Sequence, residues 1–225
     1  MNPAQSNSNR LKGEIVYAAE LLFGSGVMQH SGHGNISAHL GEDRMLLTSR
    51  GNLSGLTEDD LAVVSLDGTV FEGSIESSIA EIVAMHAGIY KAREGVGSII
   101  HTHSPHVTAF ALAHEPLPCA YEALLRFGVA DFIPVAAWAP RGSEESVANI
   151  VEQVKGHPTA PAVLLANHGL LAFHRDPLQT VRLIMVMEEA AEMTLKAREL
   201  GGEKPFPSGA LEQERERMAR FESPS

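Results

Sequence analysis

Apolar residues recur along the chain with two different periods, and the order of these periods predicts a layered α/β fold. Helical spacing over residues 11–28 and 177–200 predicts amphipathic helices, and the first of them should end near Gly24-Ser25-Gly26. Short apolar runs bounded by turn residues predict strands, as at 96–100 and 162–166. An Asp-Gly turn within 61–71 predicts a hairpin. Because helices and strands alternate but hairpins also occur, we expect a mixed α/β fold and not a regular parallel sheet.

Two of the predicted buried strands end in histidines. The run 96–100 leads directly into His101 and His103, and side chains alternate along a strand, so these two imidazoles point the same way. The run 162–166 leads into His168. Three imidazoles from two strand ends can occupy three corners of a tetrahedral metal site and leave the fourth for water or substrate. The alternative is three unrelated core histidines, but both strands break at their histidines, which favours a catalytic metal site.

Candidates for proton transfer and anion binding lie in turns and at the start of a helix. Glu81 follows two serines whose hydroxyls suit a helix cap, and this helix immediately precedes the histidine strand. Glu81 is therefore a candidate general acid or base, although an acid in the first helical turn is also common for electrostatic reasons. The turns and the helix start also offer backbone amides, hydroxyls and one guanidinium, which are groups that donate hydrogen bonds to anions. We therefore predict an anion pocket. Its members are Asn35, Arg50, Gly51, Ser77 and Ser78.

Composition narrows the classes of partner. The chain has 225 residues, 44% of them hydrophobic, which is enough for one substantial core. A net charge of −11 argues against nucleic acid and anionic membranes, and the single Cys119 excludes an internal disulfide framework. With neither a signal peptide nor an apolar span in view, we expect a cytoplasmic protein. We predict a catalytic domain over residues 1–202 and a charged tail or appended helix over 203–225.

The order of these motifs resembles the class II aldolase/adducin family over about residues 11–200. The motifs are Gly34-Asn35-Ile36-Ser37, Ser49-Arg50-Gly51, Ser77-Ser78 with Glu81, His101-Thr102-His103-Ser104 and Ala166-Asn167-His168-Gly169. The resemblance implies a three-layer α/β/α domain with a central mixed, mainly antiparallel sheet. It also implies a homotetramer with active sites between subunits. By the same resemblance, His101, His103 and His168 hold Zn²⁺, with Mn²⁺, Co²⁺ or Fe²⁺ as alternatives.

The chain departs from the aldolase pattern at two of these motifs. In the aldolases the glutamate directly follows the two serines, whereas here Ile79 and Ala80 intervene and Ile82 occupies the expected position. Arg50 stands where sugar-phosphate aldolases usually carry a small or hydroxyl residue, which allows the bound anion to be a carboxylate.

The resemblance predicts an enzyme, a metal-dependent lyase that cleaves a phosphorylated sugar by a retro-aldol reaction through a metal-stabilised enediolate. Two alternatives remain open at this point. One is a metal-dependent decarboxylase of a hydroxy-aromatic or sugar acid. The other is a non-catalytic interaction module like the adducin head, which the intact histidine trio argues against.

Overall fold

The computed structural model describes residues 3–28 and 32–222. Its helices are α1 (Pro3–Gly24), α2 (Ser77–Ala92), α3 (Pro105–Ala113), α4 (Glu122–Leu125), α5 (Glu144–Gly156), α6 (Pro177–Glu199) and α7 (Ala210–Glu222), with a short 3-10 helix at Glu58–Asp60. Its strands are β1 (Asn35–Gly41), β2 (Arg44–Thr48), β3 (Leu61–Ser65), β4 (Val70–Glu72), β5 (Ser98–Thr102), β6 (Leu117–Pro118), β7 (Phe132–Ile133), β8 (Val135–Ala136), β9 (Ala162–Leu165) and β10 (Gly169–His174).

One large sheet organises the molecule. Eight strands join in the order β4-β3-β2-β1-β5-β10-β9-β8, and β6 pairs with β7 separately. All neighbours in the large sheet are antiparallel except β8 and β9, which run parallel. The predicted mixed, mainly antiparallel sheet is therefore confirmed.

The sheet is buried on both faces, so its strands are apolar at successive positions. In β5, Ile99 packs into the core beneath α2 and α5, whereas Ile100 packs into the core beneath α1, α3 and α6. Successive side chains of a strand point to opposite faces, so the two neighbours enter different cores. Two helical layers thus enclose the sheet, which confirms the predicted three-layer α/β/α fold.

Side-chain hydrogen bonds determine where two of the helices begin. The Ser143 hydroxyl caps α5 by accepting from the Ser146 N–H at 3.1 Å, and the Asp176 carboxylate caps α6 by accepting from the Gln179 N–H at 2.7 Å. The predicted serine cap of α2 is wrong. Glu76 is the extended residue before that helix, and its side chain makes no capping bond.

The first helix begins earlier than predicted, at Pro3, and it ends at Gly24, within the turn where its end was predicted. Near the C-terminus, α7 packs on the domain through Leu211, which is buried in the core shared with α1, α3 and α6. Arg126 and Glu214 form an ion pair at 3.3 Å beside it. The division into residues 1–202 and 203–225 stays a prediction, and residues 223–225 lie outside the described part.

None of the helices in the described part of the chain combines the length and apolar character that a bilayer span requires.

Candidate metal centre

The histidine strand β5 lies in the middle of the sheet, between β1 and β10. His101 is directly opposite Asn35 on β1 and Leu171 on β10. Residues directly opposite in antiparallel strands share a face, so Asn35 and His101 lie side by side on the face covered by α2 and α5. The β9–β10 turn delivers His168 to the same place, with Asn167 in the left-handed region at φ 59°.

Two glycines allow the neighbouring backbone to approach the histidine strand. A Cβ on Gly169 would lie 2.6 Å from the Thr102 carbonyl oxygen and 2.7 Å from Cδ2 of His103. A Cβ on Gly34 would lie 2.6 Å from the His101 carbonyl oxygen. All three distances are far shorter than van der Waals contact, so only glycine fits at these positions.

The structure brings the three predicted histidines together. One nitrogen from each of His101, His103 and His168 can be chosen so that all three lie within 4.8 Å of one another. The ring centroids are 4.8 Å apart for His101 and His103, 4.7 Å for His101 and His168, and 5.0 Å for His103 and His168. Nitrogens at this mutual separation can bind a single ion.

Hydrogen bonding and burial prepare these imidazoles as ligands. His101 Nδ1 lies 2.8 Å from the Leu170 carbonyl oxygen, which can only accept, so Nδ1 carries the proton and Nε2 keeps its lone pair. His103 Nε2 is buried and has no hydrogen-bond partner among the described residues. A buried polar atom without a partner is costly unless a ligand satisfies it. The donor set therefore fits a divalent ion such as zinc.

The same burial keeps the histidines neutral. Desolvation lowers the pKa of His101 well below its usual value, and the nearby His168 and His103 lower this pKa further. Desolvation lowers the pKa of His103 to about 4. Desolvation, followed by the charge of Arg141, also lowers the pKa of His168. Only neutral imidazole binds a metal, so the cluster is ready to bind at neutral pH.

A cavity of about 740 Å³ opens on the histidines. Four of the five predicted anion-pocket residues line it. They are Asn35, Arg50, Gly51 and Ser78. Ser77, the first residue of α2, is not among the described residues that line the cavity.

Arg50 lines the cavity, but its guanidinium is directed to the surrounding loop. It donates to the Asp60 carboxylate at 3.1 and 3.3 Å, and it also bonds the backbone carbonyls of Asn52, Ser54 and Gly55. The hydrogen bond from Arg50 lowers the pKa of Asp60 to about 2. These contacts fix the loop that carries Gly51 at the cavity wall.

Glu81 lines the same cavity and pairs with an arginine from a distant loop. Arg141 Nη2 lies 3.0 Å and Nε 3.1 Å from Glu81 Oε2. Gly142 follows with φ 79°, and a Cβ there would lie 3.0 Å from Glu81 Cβ. The loop therefore packs closely against Glu81, and the charge of Arg141, which pairs with Glu81, also lowers the pKa of His168.

Sequence reasoning missed several residues of the cavity wall, and three of them bear on its chemistry. Arg141 and the half-exposed Trp138 come from the loop after β8, and Glu76 precedes α2. Nothing in the local pattern marks Arg141, because its partner lies 60 residues away in sequence. Trp138 offers a weak signal, since it is the only tryptophan of the chain and is followed by a Pro-Arg-Gly turn.

Comparison with known proteins gives matches over most of the chain. The family model of the class II aldolase and adducin N-terminal domain matches residues 13–195. An L-fuculose phosphate aldolase of Methanococcus maripaludis is 26% identical over 184 residues, which cover 80% of this chain and 93% of that protein. A 5-deoxy-D-ribulose 1-phosphate aldolase of Bacillus thuringiensis is 29% identical over 201 residues, 88% of this chain and 91% of that protein.

A solved structure shows the same likeness in three dimensions. An L-fuculose 1-phosphate aldolase superposes with a TM-score of 0.81 at 27% identity, covering 93% of this chain and 96% of the other. These relatives support the prediction of a lyase of the aldolase class. With the family model covering most of the sequence, the chain belongs to the class II aldolase/adducin family.

Proposed function

We propose that this protein is a divalent-metal-dependent aldolase that cleaves a carbon–carbon bond of a phosphorylated sugar. The observation that carries the proposal is the trio of neutral histidines at the wall of a cavity. His101 is buried, His103 and His168 are partly buried, and His103 Nε2 has no hydrogen-bond partner among the described residues. The named activities of its relatives support the substrate class.

In this proposal His101, His103 and His168 hold the ion. A divalent ion there, most simply Zn²⁺, would act as a Lewis acid that stabilises the negative charge of the enediolate left by cleavage. The protein itself keeps the imidazoles neutral by burial, and the Leu170 carbonyl orients the ring of His101.

We assign the substrate phosphate to the Asn35, Gly51 and Ser78 part of the cavity. These residues offer an amide group, a backbone N–H and a hydroxyl, all of which can donate to phosphate oxygens. Arg50 supports this region indirectly, because its guanidinium holds the loop by bonds to Asp60 and to three carbonyls.

We assign proton transfer at the enediolate carbon to Glu81. Its carboxylate borders the cavity and is held by Arg141 at 3.0 Å. Glu76 is a second carboxylate on the same wall, so the assignment needs a direct test.

The aldolase reaction is favoured over decarboxylation by the contacts of Arg50. The decarboxylase alternative uses this guanidinium to orient a substrate carboxylate, but the guanidinium already bonds Asp60 and the loop. The non-catalytic alternative does not account for three neutral, preorganised histidines.

The first test combines metal content with a panel of substrates. We expect the purified protein to bind about one divalent ion per chain and to release aldehyde from phosphorylated ketoses. It should release no carbon dioxide from hydroxy acids. His103→Ala should lose both the ion and the cleavage. Metal-free wild-type protein that stays inactive after zinc addition would favour the non-catalytic module, and carbon dioxide release would favour the decarboxylase.

The second test compares the two carboxylates of the cavity wall. We expect Glu81→Gln to lower kcat by about 100-fold or more, the usual range for a general acid or base. Glu76→Gln is the matched control and should lower kcat by less than tenfold. The reverse order would move the proton-transfer role to Glu76.

A homotetramer, which the family resemblance implies, and a location in the cytoplasm, which the sequence predicts, complete the proposal. Light scattering on the purified full chain tests the tetramer, and fractionation of the source cells tests the compartment.

A further inference from the structure

Four polar side chains form a buried hydrogen-bonded chain that ends at the cavity. The Tyr90 hydroxyl lies 2.7 Å from Ser37 Oγ, and Ser37 Oγ lies 2.7 Å from His86 Nδ1. On the other side of the imidazole, His86 Nε2 lies 2.6 Å from the Asn35 side-chain oxygen Oδ1. His86 and Ser37 are fully buried, whereas Asn35 lines the cavity.

The strand register explains why these four residues meet. Asn35 and Ser37 are two positions apart on β1, so both point to the face of the sheet covered by α2. His86 and Tyr90 are four positions apart on α2, so both point towards β1. The sheet and the helix thus contribute alternate members of the chain.

The contacts of Tyr90 decide the order of the protons along this chain, because only one order gives every proton an acceptor. Burial lowers the pKa of His86 to about 3, so the imidazole is neutral and donates through one nitrogen only. If Nδ1 donated, Ser37 would pass its proton to Tyr90, and the Tyr90 proton would have no acceptor among the described residues. If Tyr90 donates to Ser37 and Ser37 donates to Nδ1, every proton has an acceptor. The second order leaves the proton of His86 on Nε2, from which it is donated to Asn35.

We propose that His86 is a positioning residue that fixes the side-chain amide of Asn35, so that its NH₂ group faces the cavity as a donor to an anion. With Oδ1 held by His86 Nε2–H, the amide cannot rotate by half a turn and present its oxygen to a phosphate. Asn35 Nδ2 has no hydrogen-bond partner among the described residues, which leaves both of its N–H groups for a ligand.

This inference rests on the proposed anion pocket, but it can be tested without any activity. The first measurement is the tautomer of His86 in the full-length wild-type protein, from the ¹⁵N chemical shifts of the ring. We expect Nε2 to be protonated and Nδ1 to be unprotonated. The opposite tautomer would overturn the proposal, whatever the protein does to sugars.

The second measurement is the affinity for inorganic phosphate of the zinc-loaded protein and two variants. His86→Gln can keep an N–H near the position of Nε2, whereas the shorter side chain of His86→Asn cannot reach Asn35. We expect His86→Asn to weaken phosphate binding about tenfold or more, as for a lost hydrogen bond to a charged group. His86→Gln should restore the affinity to within about threefold of wild type.

The zinc content of the two variants distinguishes a positioning role of His86 from a general loss of structure. Both variants should keep about one zinc per chain, because neither changes a histidine of the metal centre. Equal phosphate affinity in all three proteins, or parallel loss of zinc and phosphate in His86→Asn, would overturn the positioning role. If wild type itself bound no phosphate, the proposed anion pocket would fail, and the tautomer alone would decide the order of the chain.

Discussion

Replacing Gly169 by alanine should weaken metal binding although Gly169 offers no ligand atom. The new Cβ would lie 2.6 Å from the Thr102 carbonyl oxygen and 2.7 Å from Cδ2 of His103, whereas ordinary contact begins near 3.4 Å. The backbone or the imidazole must therefore retreat by about 0.7 Å, several times the roughly 0.2 Å that metal–ligand distances tolerate. We expect the Kd for zinc to rise by about 10- to 100-fold. Overpacking should also lower the free energy of unfolding by about 1–3 kcal/mol.

The assay is a competition between the metal-free protein and a chromophoric zinc chelator. Gly156→Ala is the matched control, because a Cβ on Gly156 at the end of α5 meets no atom of the described residues within 4 Å outside its own helix and its chain neighbours. The control should keep the wild-type Kd. An unchanged Kd in Gly169→Ala would refute the reasoning, since it would mean that β10 and His103 can separate without disturbing the metal centre.

Three further predictions follow from contacts around the site. The Asp60 carboxylate, with a pKa of about 2, should stabilise the fold above about pH 4, and this contribution should disappear as the pH falls through 2. Acid unfolding followed by circular dichroism should therefore show Asp60→Asn less stable than wild type at pH 5, with a difference that shrinks as the pH falls and disappears below about pH 2. The Glu188 carboxylate accepts the first N–H groups of α3, so Glu188→Ala should lower the free energy of unfolding by about 1–2 kcal/mol in urea. Trp138 lies at the cavity, so its fluorescence should change on phosphate addition to the zinc-loaded protein, and an unchanged spectrum at saturation would contradict this placement.

The convergence of the three histidines could be predicted, because it depends only on the geometry of the strands at whose ends they lie. His101 and His103 share a face through the two-residue period of a strand, and each apolar run ends where the polar residues begin. The pairing of β5 with β10 then brings His168 to the same edge. The mixed α/β class followed from the alternation of helices and strands, whereas the family and the three-layer order were predicted from the resemblance of the motifs.

Contacts between distant segments were not predictable from local pattern. The role of Arg50 depends on Asp60 and on the carbonyls of its own loop, which periodicity does not place. Arg141 meets Glu81 across 60 residues of sequence. The helical pattern of α2 does not reveal the role of His86, because its contact with Asn35 depends on how α2 packs against β1.

The position of the histidines in the middle of the sheet has a consequence for the supply of the ion. His101 lies on a strand paired on both sides, and the turn that carries His168 follows a strand from the same buried core. The hydrogen bonds of such strands break only when the whole molecule unfolds. We therefore expect the amide hydrogens of these strands to be among the slowest to exchange with solvent. Metal should therefore be lost and regained through the mouth of the cavity while the protein stays folded. The ion found in the protein will then reflect the divalent metals that its surroundings provide at the time, and not the one present when the chain folded.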